Sequence, residues 1–313
     1  MTFAMVFPGQ GSQSVGMLDE LSLSYAQVRE TYQEVSDVLN YDLWSLVHNG
    51  PGEELNKTHI TQPALLAGGV AVWRIWNAEK GPMPTAMAGH SLGEYSALVA
   101  AGAISLKDAA GLVADRGKFM QEAVPEGDGA MAAILGLDDG AVIDVCGKAA
   151  KGEVVTAVNF NSPGQVVIAG NKNAVDRAVE QAKEAGAKRA VILPVSVPSH
   201  CNLMVPAAER LAERLANIEI NTPAIPVYNN VDVKAESDPD TIRNALKRQL
   251  FSPVRWVGII NAFTQKNIDH VVECGPGKVL AGLNKRINRQ MGAHSTVDAD
   301  SILKAIQAVQ GEG

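Results

Sequence analysis

Apolar residues follow two rhythms along this chain. Short apolar runs bounded by Gly and Pro, such as those at 3–7, 85–88 and 270–274, have the pattern of strands buried on both faces. Between them apolar positions recur at helical spacing. Val28, Tyr32, Val35, Val38 and Leu39 predict a helix over 23–39. A second helix is predicted over 61–80, with Thr61 as N-cap, Pro63 in the first turn and Gly81-Pro82 as the stop, and a third over 106–123. Strands alternating with helices predict a mainly parallel sheet covered on both faces.

The middle of the chain changes rhythm. Residues 129–135, 153–159, 165–169 and 189–195 read as strands, and 138–150 and 172–185 as helices. Asn161-Ser162-Pro163-Gly164 reads as a hairpin turn. The order β-α-β-β-α-β is that of a split, ferredoxin-like unit. Pro125-Glu126-Gly127 opens this block and the segment from Pro194 to Pro198 closes it. The predicted organisation is therefore α/β, with residues 1–124 and 201–313 forming a larger domain and 125–200 a small inserted one. A helix over 203–215, a strand over 225–228 and a helix over 239–250 fill the second half of the larger domain.

Charge narrows the function classes. A net charge of −7 argues against non-specific nucleic-acid binding, which needs a basic footprint. The opening MTFAMVFPGQ lacks the basic, apolar and cleavage regions of a signal peptide, and the most apolar helix is interrupted by Arg74. Cys146, Cys201 and Cys274 are odd in number and lack metal-type spacing, and the six histidines form no ligand motif. The expectation is a cytoplasmic protein with reduced thiols, no metal, no bound cofactor and no membrane span.

The strongest chemical signal is Gly89-His90-Ser91-Leu92-Gly93, a G-x-S-x-G nucleophile elbow with a strand before it and a helix after. Such a turn exposes the serine hydroxyl and leaves helix N-terminal N–H groups, led by that of Leu92, free to receive negative charge. A serine needs a base. His200, where the insert rejoins the larger domain, is the preferred candidate, and His90 is the competitor. The turn Pro8-Gly9-Gln10-Gly11-Ser12 can add an N–H and polar side chains to an oxyanion site. It fails as a dinucleotide fingerprint because Ser14 stands where the third glycine belongs. Gly277-Lys278-Val279 likewise fails as a phosphate loop. Arg116, read alone, is a helix-surface residue paired with Asp115 or Glu122, although its planar fork suits a carboxylate.

Several ordered motifs run through nearly the whole chain. They are Phe7-Pro8-Gly9-Gln10-Gly11-Ser12-Gln13, Thr61-Gln62-Pro63-Ala64, Gly89-His90-Ser91-Leu92-Gly93-Glu94-Tyr95, Arg116-Gly117, Asn159 through Gln165, Pro198-Ser199-His200 and Gly275-Pro276-Gly277. Together they resemble the malonyl-CoA:acyl carrier protein transacylases of fatty acid synthesis. The resemblance implies an α/β-hydrolase-like domain with a ferredoxin-like insert, Ser91 as nucleophile and His200 as base. It implies Gln249 as the residue whose carbonyl orients that base, Gln10 and the Leu92 N–H as the oxyanion hole, and Arg116 as the clamp on the malonyl carboxylate. Asn161 would help shape the substrate site. Malonyl-CoA and an acyl carrier protein are the implied partners, and an acidic carrier would need a local basic face such as Lys188-Arg189, Lys285-Arg286 and Arg289. A serine hydrolase using the same elbow, a polyketide acyltransferase and a non-catalytic carrier-binding module are the alternatives that remain at this point.

Overall fold

Among the residues that a computed structural model of the chain describes, 1–195 and 197–311, nine strands form two sheets. They are β1 (Phe3–Phe7), β2 (Ala86–Gly89), β3 (Gly129–Leu135), β4 (Val155–Ser162), β5 (Gln165–Asn171), β6 (Arg189–Ile192), β7 (Val227–Tyr228), β8 (His270–Glu273) and β9 (Gly292–Ser295). The larger sheet runs β7-β2-β1-β8-β9 and every pairing in it is parallel. β1 lies at its centre, in register with β2 through Met5–Met87 and with β8 through Met5–Val272. All five β1 residues are buried, as a strand covered by helices on both faces requires. The expected α/β-hydrolase-like core is what this sheet forms.

The smaller sheet runs β4-β5-β3-β6 and is antiparallel throughout, which is the ferredoxin-like strand order. Ile134, Val166 and Ile168 on one face pack against Val175 and Ala178 of helix Lys172–Glu184 and Val142 of helix Asp139–Ala150. The other face, including Met131, Val158 and Val167, packs on Cys201 beside His200. β4 is also tied through backbone to the segment just before helix Trp256–Gln265: Val254 N–H donates to Val158 O at 2.8 Å and Phe160 N–H to Val254 O at 3.0 Å. All three cysteines are free and buried. Among the described residues, no helix is long and apolar enough to cross a membrane.

Several boundaries differ from the sequence pattern for identifiable reasons. The helix expected over 61–80 spans Thr58–Ala78 with Lys57 at its N-cap and Pro63 inside it. Thr61 does not cap, because its hydroxyl turns back to the Leu55 carbonyl at 2.5 Å. The helix expected over 23–39 breaks at Tyr25 into Asp19–Ser24 and Ala26–Leu39. Asn161 lies in β4 rather than in the hairpin turn, since pairing continues to Ser162–Gln165 and the turn is Pro163-Gly164 alone.

Candidate active site

The elbow is built where β1 and β2 end side by side. A Cβ on Gly89 would stand 1.8 Å from the Gly93 carbonyl carbon, and one on Gly93 would stand 2.1 Å from the Phe7 carbonyl oxygen. Gly89 is therefore required by the close return of the following helix onto the turn, and Gly93 by the contact of that helix with the central strand. Ser91 sits between them at φ 51°, a left-handed conformation that costs a serine about 1 kcal/mol or more.

The turn presents Ser91 Oγ to His200 Nε2 at 2.8 Å. His200 Nδ1 lies 2.7 Å from the main-chain oxygen of Gln249. A carbonyl only accepts, so Nδ1 carries the proton and Nε2 is left to accept from the serine. His90, the competing ring, instead has its Nε2 2.8 Å from Asn161 Oδ1. That bond ties the elbow to β4. The small cavity of about 110 Å³ above Ser91 is lined by Gln10, Leu92, Arg116 and His200, and by Asn159 rather than Asn161.

Arg116 is 1% exposed, so it is not the surface residue that its helix alone suggests. Its former candidate partners are engaged elsewhere: Asp115 pairs with Arg214 and Glu122 with Arg210. The guanidinium donates to Gln62 Oε1 at 2.8 Å, Gln249 Oε1 at 3.0 Å and Ser91 Oγ at 3.2 Å, and these partners are all neutral. A buried cation without a bonded carboxylate is costly unless something else supplies the anion. Glu94 is the nearest acidic group in this network, but burial raises its pKa to about 7, and its carboxyl accepts from Asn230 N–H and Gln249 Nε2 instead.

Gln10 donates from Nε2 to Thr58 Oγ1 at 3.4 Å, a long bond that leaves the amide easily redirected. The Leu92 N–H makes no hydrogen bond with the described residues, and Leu92 lines the same cavity. A wider groove continues from Gln10 and Thr58 past Gly11, Leu193 and Val195 toward Lys172. Sequence reasoning missed Gln62, Glu94 and Asn230 as members of this network. Gln62 and Glu94 each lie inside a motif, next to a residue already singled out, whereas Asn230 carries no local signal.

Burial, and then the Arg116 charge, lower the His200 pKa to about 3. A lowered pKa keeps the ring neutral, hence able to accept a proton, at every pH well above that value. If Ser91 is the acyl acceptor that the resemblance implies, its acylation should therefore show no His200-dependent loss as pH falls through 6.5. The check is the single-turnover acylation rate from pH 8 to pH 5, in which a fall centred near 6.5 contradicts the expectation.

Known proteins extend this picture. The acyl transferase domain family matches residues 4–301. The malonyl CoA-acyl carrier protein transacylase of Escherichia coli K12 is 58% identical over 97% of this chain and 99% of its own length. That of Haemophilus influenzae is 62% identical over 96% of each. A malonyl-transacylase solved in complex with a type II PKS acyl-carrier protein superposes with a TM-score of 0.97 at 56% identity, covering 98% of this chain and all of that one. With the elbow, the buried arginine and the two sheets all in place, the chain belongs to the acyl transferase family, among its malonyl CoA-acyl carrier protein transacylases.

Proposed function

We propose that the protein moves a malonyl group from malonyl-CoA to the phosphopantetheine thiol of an acyl carrier protein, through an ester on Ser91, to supply fatty acid elongation. The observation that carries this reading is the buried Arg116 guanidinium 3.2 Å from Ser91 Oγ with no carboxylate bonded to it. An acyl group that brings its own carboxylate completes that site. A hydrolase acting on neutral esters gains nothing from it.

In the first half-reaction Ser91 Oγ attacks the thioester carbon while His200 Nε2 takes the hydroxyl proton. The Gln249 carbonyl holds the resulting imidazolium through Nδ1–H. The Leu92 N–H and the Gln10 amide receive the oxyanion. Collapse breaks the C–S bond, coenzyme A leaves as its thiol with the proton from His200, and malonyl-Ser91 remains. The carrier's thiol then runs the same steps in reverse order. Arg116 has a second effect here. Its charge suppresses protonation of His200, so pairing it with the malonyl carboxylate relieves that suppression as the correct substrate binds.

We divide the chain into 1–124 with 201–313 and the insert 125–200, and assign substrate shaping around the elbow to Asn161 through its bond to His90. An acidic carrier would meet Lys188, Arg189, Lys285, Arg286 and Arg289, all exposed. The chemistry needs no metal or bound cofactor, and both substrates belong to the cytoplasm.

The test is the intact mass of the protein mixed with malonyl-CoA and no acceptor. One malonyl adduct on wild type, absent from Ser91→Ala, is expected. A wild type that carries no adduct and steadily releases malonate overturns the reading in favour of a hydrolase.

A further inference from the structure

The left-handed turn at Ser91 needs something to hold it, because a strained backbone persists only where its surroundings over-determine it. The Ser91 N–H lies ahead of the first helical turn and finds no partner within the helix it precedes. Its acceptor is Asn230 Oδ1, at 2.7 Å. The same side-chain amide donates from Nδ2 to the Gly89 carbonyl, also at 2.7 Å. A single buried amide therefore clamps residues 89 and 91 together across His90.

We propose that Asn230, two residues beyond β7, is a positioning residue that fixes the nucleophile turn and so aims Ser91 Oγ at His200. This rests on the reading of Ser91 as the acyl acceptor. Asn230 is fully buried and is itself held at both backbone atoms: its N–H donates to Glu94 Oε2 at 2.9 Å, and its carbonyl accepts from Arg255 N–H at 3.2 Å. Glu94 Oε2 also accepts from Gln249 Nε2 at 2.8 Å, and Gln249 Nε2 lies 3.1 Å from the Ser91 carbonyl. Gln249 is the residue whose main-chain oxygen orients His200. One carboxyl group thus references both the clamp on the nucleophile and the residue that holds the base.

The clamp requires a donor and an acceptor at one end of a short side chain. Asparagine has both, an ionised aspartate has only acceptors, and alanine has neither. A protonated aspartic acid recovers the missing donor in nearly the same shape, which gives the idea a distinctive signature.

The experiment measures single-turnover acylation by malonyl-CoA for wild type, Asn230→Ala and Asn230→Asp between pH 5 and pH 8, with thermal melts to confirm folding. Asn230→Ala should lower the limiting acylation rate about 100-fold, the scale of a misplaced reacting group, with little change in the malonyl-CoA concentration at half-saturation. Asn230→Asp should be similarly slow at pH 8, where its carboxylate faces the Gly89 carbonyl, and its rate relative to wild type should climb as pH falls. The other ionisable groups around the clamp are Glu94, His90, His200, Arg116, Asp232, Arg248 and Arg255. They are common to both proteins, so the ratio to wild type isolates residue 230. A flat ratio for Asn230→Asp overturns the proposal, and so does a loss confined to half-saturation in Asn230→Ala. If the alanine variant does not fold, the aspartate arm decides alone. A wild type that forms no adduct removes the underlying reading. A wild type that acylates beside variants that do so equally fast removes only the role of Asn230.

Discussion

Replacing His200 with asparagine should slow malonylation of Ser91 by roughly 10³- to 10⁴-fold, the range that general-base catalysis spans at its upper end. Asparagine is the informative choice because residue 200 is itself left-handed, at φ 66°, where asparagine is tolerated and alanine is strained. The main-chain bond from the His200 N–H to Leu250 O survives the change. What disappears is the proton acceptor 2.8 Å from Ser91 Oγ. Without it the hydroxyl must lose its proton to solvent in a cavity of about 110 Å³, where there is little room for water beside an acyl group. Rapid-quench mass spectrometry of the adduct reads the rate directly. A loss smaller than tenfold would move the base elsewhere, and His90 would then be the ring to test.

Removing the Arg116 charge should cost malonyl transfer about 100-fold or more and should narrow the preference for malonyl over acetyl by a similar factor. The basis is the loss of a desolvated, charge-assisted contact to the substrate carboxylate, roughly 3 kcal/mol. Arg116→Ala also strands the Gln62 and Gln249 side-chain oxygens that the guanidinium now satisfies. Arg116→Met fills that space better and is the cleaner variant. Two readouts separate a clamp from a packing residue. Acetyl-CoA turnover should hold or rise while malonyl turnover falls, and the acid limb of acylation should move toward neutral pH because the charge that suppresses His200 protonation has gone. Lysine should rescue poorly, since an ammonium cannot reproduce the fork that spans Gln62, Gln249 and the ligand. Equal losses with both thioesters would exclude the clamp.

The parts of this site that are legible in the sequence are those written locally. The elbow occupies five consecutive residues between a strand and a helix, and the split order of the insert shows in the spacing of short apolar runs. His200 is readable because it sits at a chain junction. Arg116 is not, because its helix, Leu106–Ala123, packs against Thr58–Ala78, Ala26–Leu39 and Val205–Ala216 together, so a polar residue on it need not face water. Resemblance, not periodicity, marks that residue. Asn230 reaches Ser91 from 139 positions away and is invisible to any window along the chain. The helices Trp256–Gln265 and Val279–Ile287 escape for a related reason: neither has a local side-chain cap. The second is capped at a distance, by the Glu273 carboxyl accepting from the Leu280 and Ala281 N–H groups.

The buried thiols bear on chemical fidelity. If the acyl group rests on Ser91 as proposed, the protein's own cysteines are competing acceptors that would trap it as dead-end thioesters. Cys201 follows His200 directly in sequence and would be the most exposed to that fate. Its Sγ instead turns away to the Pro198 carbonyl at 3.1 Å, and burial pushes its pKa up to about 11. Cys146 is pushed up to about 12 and Cys274 upward as well. Only the thiolate is nucleophilic, so at neutral pH none of the three competes with the incoming thiol of the carrier. The fold thereby keeps its own thiols out of acyl transfer, so the proposed ester on Ser91 is the single adduct expected on the protein.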